Sequence, residues 1–87
     1  MKVIAKPIEV VAWFTKEGKP RPVRFRIVAE DQSEIVFKVE KILHIENMKL
    51  AGNPMIAFTC QGAVNGADKL FEIRYEQLTC KWMLFKI

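Results

Sequence analysis

The sequence is poor in the groups that carry out chemistry. It holds one histidine, His44, one serine, Ser33, and two cysteines, Cys60 and Cys80. Nucleophilic catalysis needs a nucleophile and a base within hydrogen-bond reach and a third group to orient the base. No spacing here prepares such a trio, so the chain reads as a binding protein and not an enzyme. Two cysteines are too few for a secreted disulfide framework and lack the close pairing of a zinc site. They read as reduced core thiols, although spacing alone leaves a bridge between them open. The acidic turn Glu30-Asp31-Gln32-Ser33-Glu34 lacks the alternating oxygens and central glycine of a calcium loop. The four glycines, Gly18, Gly52, Gly62 and Gly66, fall in separate loops and form no phosphate cradle. No metal or cofactor is therefore expected. There is no run of about 18 apolar residues, hence no membrane-spanning helix. The start, Met1-Lys2-Val3-Ile4-Ala5-Lys6-Pro7, places a lysine and a proline where a signal peptide needs a continuous apolar stretch, so the expected location is cytoplasmic.

What is present fits one small domain over residues 1–87. A chain this short buries only roughly 60–65% of its unfolded surface. A large apolar fraction is then needed, and 51% of the residues are hydrophobic. The net charge of +4 is localised: residues 1–30 carry seven Lys/Arg against three Glu, whereas residues 31–87 carry seven of each sign. Lys16 to Arg26 alone holds five cations and one anion.

Strand signals recur between polar turns. Ile8 to Thr15 is β-branched and aromatic. Lys16 to Pro22 reads as a loop, because two prolines remove two backbone donors. Val23-Arg24-Phe25-Arg26-Ile27 alternates, which puts Val23, Phe25 and Ile27 inward and both arginines outward. After the turn at 29–34, Ile35, Phe37 and Val39 point inward and Val36, Lys38 and Glu40 outward. Lys41 then falls on the inward phase. A bulge near Glu40-Lys41 explains the slip, with a short helix over 40–50 as the competing reading. Met55 to Gln61 forms a fourth strand and Leu70 to Tyr75 a fifth, joined by a segment containing Asn65-Gly66. Lys81 to Ile87 forms the sixth. The expected fold is all-β: a six-stranded antiparallel meander that closes into a small barrel or half-barrel of SH3 or OB size.

The succession Pro7-Ile8-Glu9-Val10, Pro22-Val23-Arg24-Phe25-Arg26 and Trp82-Met83-Leu84 resembles a group of short bacterial all-β proteins of unknown function. Some of these are encoded beside translesion DNA polymerases. The resemblance implies an accessory protein linked to DNA repair and supplies no catalytic residue. The chain departs from that pattern at residues 40–55, which lack the further tryptophans expected there.

Two surfaces are candidate sites. Lys16, Lys19, Arg21, Arg24, Arg26 and Lys38 form a basic hairpin face, and Trp13 offers a ring beside it. Cations for phosphates and an aromatic for bases is the chemistry of sequence-tolerant single-strand binding. The structural alternatives are ion pairs of Arg24 and Arg26 with Glu9 and Glu40, and a core position for Trp13. On the last strand, Met83, Phe85 and Ile87 share the face opposite Trp82 and Leu84. A strand apolar on both sides needs cover on both, supplied by a second copy, by a protein partner, or by the loop at 47–54. The leading expectation is a binding or adaptor protein that acts through protein contacts or self-association. The alternative is a nucleic-acid-binding accessory module using residues 16–26.

Overall fold

In the computed structural model, which describes residues 1–87, six antiparallel strands follow one another and close into a barrel in the order β1 to β6. They are β1 (Val3–Phe14), β2 (Pro20–Val28), β3 (Glu34–Leu50), β4 (Asn53–Val64), β5 (Ala67–Glu76) and β6 (Lys81–Lys86). The expected all-β meander is thus a closed barrel. No helix is present that is long and apolar enough to cross a membrane.

Two of the connections are two-residue turns with both central residues at positive φ, the type I′ geometry that matches strand twist. Asn65-Gly66 joins Val64 to Ala67 at φ 50° and 78°, and Ala51-Gly52 joins Leu50 to Asn53 at φ 50° and 82°. The first was legible from its residues. The second places an alanine where asparagine is the usual choice.

Bulges decide which residues face inward. β3 runs unbroken for 17 residues and contains no helix. Its register against β4 shifts between Val39 and Lys41 and again between Ile42 and His44. The first shift is the expected bulge, and it turns Lys41 outward while Ile42 packs against the core. The second leaves Leu43 exposed.

Five sequence expectations are corrected. Pro20 and Pro22 lie within β2, buried, and not in a loop. β3 pairs with β2 only at Arg24–Val28, so the prolines sit where β2 has a neighbour on one side only, the position proline tolerates. A register shift opposite Val11/Ala12 then slips the phase, leaving Val23 exposed while Phe25 is buried. β1 begins at Val3, with Pro7 where only β6 is paired. Gly62 belongs to β4, not to a loop. Ile87 packs against the core, because the β5–β6 register shifts between Glu72 and Ile73 and Phe85 takes the extra place.

The core has two aromatic clusters. Phe25 and Phe37 stack at 4.5 Å, and Phe71 meets both edge-on at 5.4 and 5.7 Å. Trp82 packs on Tyr75 at 4.7 Å and on Phe58 at 5.8 Å. Each such pair contributes about 0.5–1.5 kcal/mol beyond the area it buries. Ile73, Leu84 and Cys60 belong to the same core, all fully buried.

Candidate nucleic-acid interface

Strand register assembles the basic face. The five residues 29–33 link Val28 to Glu34, so Arg24 stands opposite Lys38 and Arg26 opposite Val36. On the other side of β2, Arg24 faces Val11, Arg26 faces Glu9, and Arg21 faces Trp13. Three rungs result on the outer surface: Trp13–Arg21, Val11–Arg24–Lys38, and Glu9–Arg26–Val36. Neighbours within a rung have Cβ atoms about 4.5–5.5 Å apart. Successive rungs are roughly 7 Å apart, two residues at about 3.4 Å each. Lys16 and Lys19 extend the charge into the turn, which is closed by hydrogen bonds from Thr15 N to Lys19 O and from Gly18 N to Thr15 O.

The cations divide into two kinds. Arg26 is held between carboxylates: its Nε donates to Glu9 Oε1 at 2.5 Å and its Nη1 to Glu34 Oε1 at 3.0 Å. The hydrogen bond to Glu9 and the charge of Glu34 raise the Arg26 pKa further. Of the anticipated ion pairs, Glu9 is therefore present and Glu40 is replaced by Glu34. Arg24 and Lys38 have no carboxylate partner although they lie directly opposite one another. Like charges in that position disfavour the fold, so stability gives no reason for the pair. Arg21 bends back to donate from Nη1 to Pro20 O at 2.7 Å.

Trp13 is not core: it is 72% exposed. Val11 and Val36, which the sequence reading left out of the site, are about half exposed beside the arginines. They line a shallow groove of about 350 Å³ together with Glu9, Arg24, Arg26 and Glu34. Two hairpin registers were the signal for them: the β1–β2 register, with its shift at Val11/Ala12, sets Val11 beside Arg24, and the β2–β3 turn sets Val36 beside Arg26.

The second candidate surface is arranged differently. Met83 and Phe85 are half-buried on the outside of β6. The Arg74 guanidinium lies 3.3 Å from the Phe85 ring centre and donates from Nε to Glu72 Oε2 at 2.7 Å. Both side chains of that ion pair are only 13% exposed. Arg74 thus covers one face of Phe85, and Ile87 packs against the core.

The remaining reactive groups are dispersed. His44 is exposed, with Thr59 as its cross-strand partner. Cys60 is buried, its thiol donates to Phe58 O, and burial pushes its pKa up to about 12. Cys80 is exposed in the turn before β6 and is no core thiol; both cysteines are free. No group of three or more His, Cys, Asp or Glu is placed to hold a metal ion.

No protein-family model matches the chain, and no curated protein or solved structure matches it either.

Proposed function

We propose that the protein is a non-enzymatic, single-stranded nucleic-acid-binding module that works through the outer face of β1, β2 and β3. The observation that carries this reading is the Arg24–Lys38 pair. Two cations stand side by side without a carboxylate, at a cost to the fold, one rung from an indole that is 72% exposed. A phosphate backbone relieves the repulsion between them, and the bases it carries stack on Trp13. Electrostatic binding of this kind releases counterions and weakens steeply with salt, while stacking on one aromatic contributes about 1–3 kcal/mol per base. A small barrel takes about 4–16 nucleotides in this way. A single strand suits the site better than a duplex, because the indole needs an unpaired base face. The role fits the DNA-repair accessory function implied by the sequence resemblance.

The test is fluorescence anisotropy of a labelled dT12 strand and of a duplex at about 50 and 200 mM salt. The expected result is binding of the single strand, weaker at high salt. Trp13→Ala should weaken it about 5- to 150-fold, and the Arg24→Glu/Lys38→Glu double variant should abolish it. Failure of the parent protein to bind any oligonucleotide at low salt would refute the reading.

One observation favours a second reading, contact with a protein. β3 from Val39 to Leu50 pairs with β4 alone, so its other edge carries unpaired backbone groups. Such an edge is a template for an added strand. Sedimentation at rising protein concentration checks for self-association, and a purely monomeric protein would remove the homodimer.

A further inference from the structure

We infer that the groove beside Arg26 is a base-selective subsite that prefers guanine, an inference that rests on the nucleic-acid reading above. The groove joins three chemistries on one surface. Val11 on β1 and Val36 on β3 give it apolar lining, Arg24 supplies a cation without a carboxylate partner, and Glu9 and Glu34 supply carboxylates. Its volume of about 350 Å³ lies at the small end of ligand sites, which run from roughly 300 to 1,000 Å³, and has room for one base.

The carboxylates are held in place. Arg26 stands between Glu9 on β1 and Glu34 on β3 and binds one oxygen of each. The second oxygen of each carboxylate has no hydrogen-bond partner within the protein. Arg26 is thus a positioning residue: it does not meet the phosphate but biases both carboxylates toward the groove. A carboxylate is an acceptor only. It suits a base edge that offers adjacent donors, and guanine alone does so, through N1–H and the N2 amine. In adenine and cytosine the amine sits beside a ring-nitrogen acceptor. In thymine and uracil a single N–H lies between two carbonyl oxygens. Each of these brings a lone pair against the carboxylate. The phosphate next to the selected base then falls to Arg24 and Lys38, one rung away. Unpaired bases are read in this manner, by stacking and by bonds to the Watson–Crick edge.

The experiment compares dT12 with strands carrying one central dG, dA, dC or deoxyinosine. A good bidentate contact discriminates by about 1–3 kcal/mol, and a half-exposed one belongs at the lower limit. The dG strand should therefore bind about five- to tenfold tighter than dT12. Inosine keeps N1–H but lacks the N2 amine, so it should lose most of that advantage. In Glu9→Gln/Glu34→Gln the glutamine oxygens still accept from Arg26, and the fold is checked by circular dichroism. This variant should bind every strand more tightly, having lost two negative charges, while the ratio of dG to dT12 affinity falls to about one. A general rise in affinity with the ratio intact would overturn the assignment, as would equal affinity of the parent protein for dG and dT strands. Either result leaves single-strand binding standing, whereas no binding of dT12 at all refutes the broader reading.

Discussion

Gly62→Ala is the substitution whose cost the structure defines best. Gly62 lies buried in β4 opposite Val39, where β3 bulges. A Cβ added there would sit 1.7 Å from the Lys38 carbonyl oxygen and 3.3 Å from Cε1 of the Phe71 ring. Close carbon–oxygen contacts in sheets lie near 3.3–3.6 Å, so the two strands must part by roughly 1.6 Å. The obstacle is backbone, and no rotamer change relieves it. Overpacking a core typically costs 1–3 kcal/mol and sometimes more; about 3 kcal/mol or above is expected here. For 87 residues the total stability is roughly 4–13 kcal/mol at about 0.05–0.15 kcal/mol per residue, so the loss is a large share of it. At about 4–8 °C per kcal/mol, thermal unfolding followed by far-ultraviolet circular dichroism should shift down by roughly 12–24 °C. Gly66→Ala is the control. It has open space around the added Cβ and suffers only from φ 78°, about 1 kcal/mol. Equal small losses for the two variants would refute the reasoning, since the close approach of β3 and β4 at Lys38 would then not exist.

Other consequences are equally measurable. Ala51 occupies the first central position of a type I′ turn at φ 50°, so Ala51→Asn should stabilise by about 0.5–1 kcal/mol and raise the midpoint by a few degrees; a lower midpoint contradicts the turn type. In native protein a thiol reagent should titrate one group per chain, Cys80, and reach Cys60 only after unfolding, because burial lifts the Cys60 pKa to about 12. Two groups reacting together would show that β4 opens readily. The Thr79 hydroxyl and the Asn53 amide lower the Glu76 pKa. Folded Glu76 therefore resists protonation more than unfolded Glu76. Its contribution to stability is complete above about pH 4.5 and fades as pH falls toward the lowered value. Glu76→Gln should weaken the acid dependence of unfolding, measured as the urea midpoint between pH 3 and pH 6.

Sequence alone disclosed the number of strands, their antiparallel order and most of the inner face, because Phe25, Phe37, Phe58, Phe71 and Ile73 all obey a period of two. It also exposed the first β3 bulge, since Lys41 on an inward phase has no stable place in a core. What it concealed depends on pairing. Prolines at 20 and 22 look like loop residues until β2 is seen to lack a second neighbour at that end. Val23 and Ile87 change sides because each lies at or just beyond a one-residue register shift, where the extra residue breaks the period of two. The basic residues of the site were all visible, yet their division into the paired Arg26 and the unpaired Arg24 and Lys38 was not. That division follows from three facing strands, which no single stretch of sequence contains.

The same register connects stability to the candidate binding face. β2 must place Phe25 inward between Phe37 and Phe71, and this fixes Arg24 and Arg26 outward on adjacent rungs. The β2–β3 turn then decides their partners: Glu34 falls beside Arg26, and Lys38 falls beside Arg24. A slip of β3 by one residue against β2 would set the outward Arg24 opposite Phe37, which faces the core, so the hairpin tolerates no slip. The unfavourable Arg24–Lys38 contact is consequently built in by a register that the core enforces. Exchanging Lys38 for glutamate alone would join it to Arg24 in an exposed ion pair worth about 0.2–1 kcal/mol and should raise stability. If the face binds nucleic acid, that gain comes with a loss of affinity, and the opposed signs of the two effects separate a binding surface from a merely solvated one.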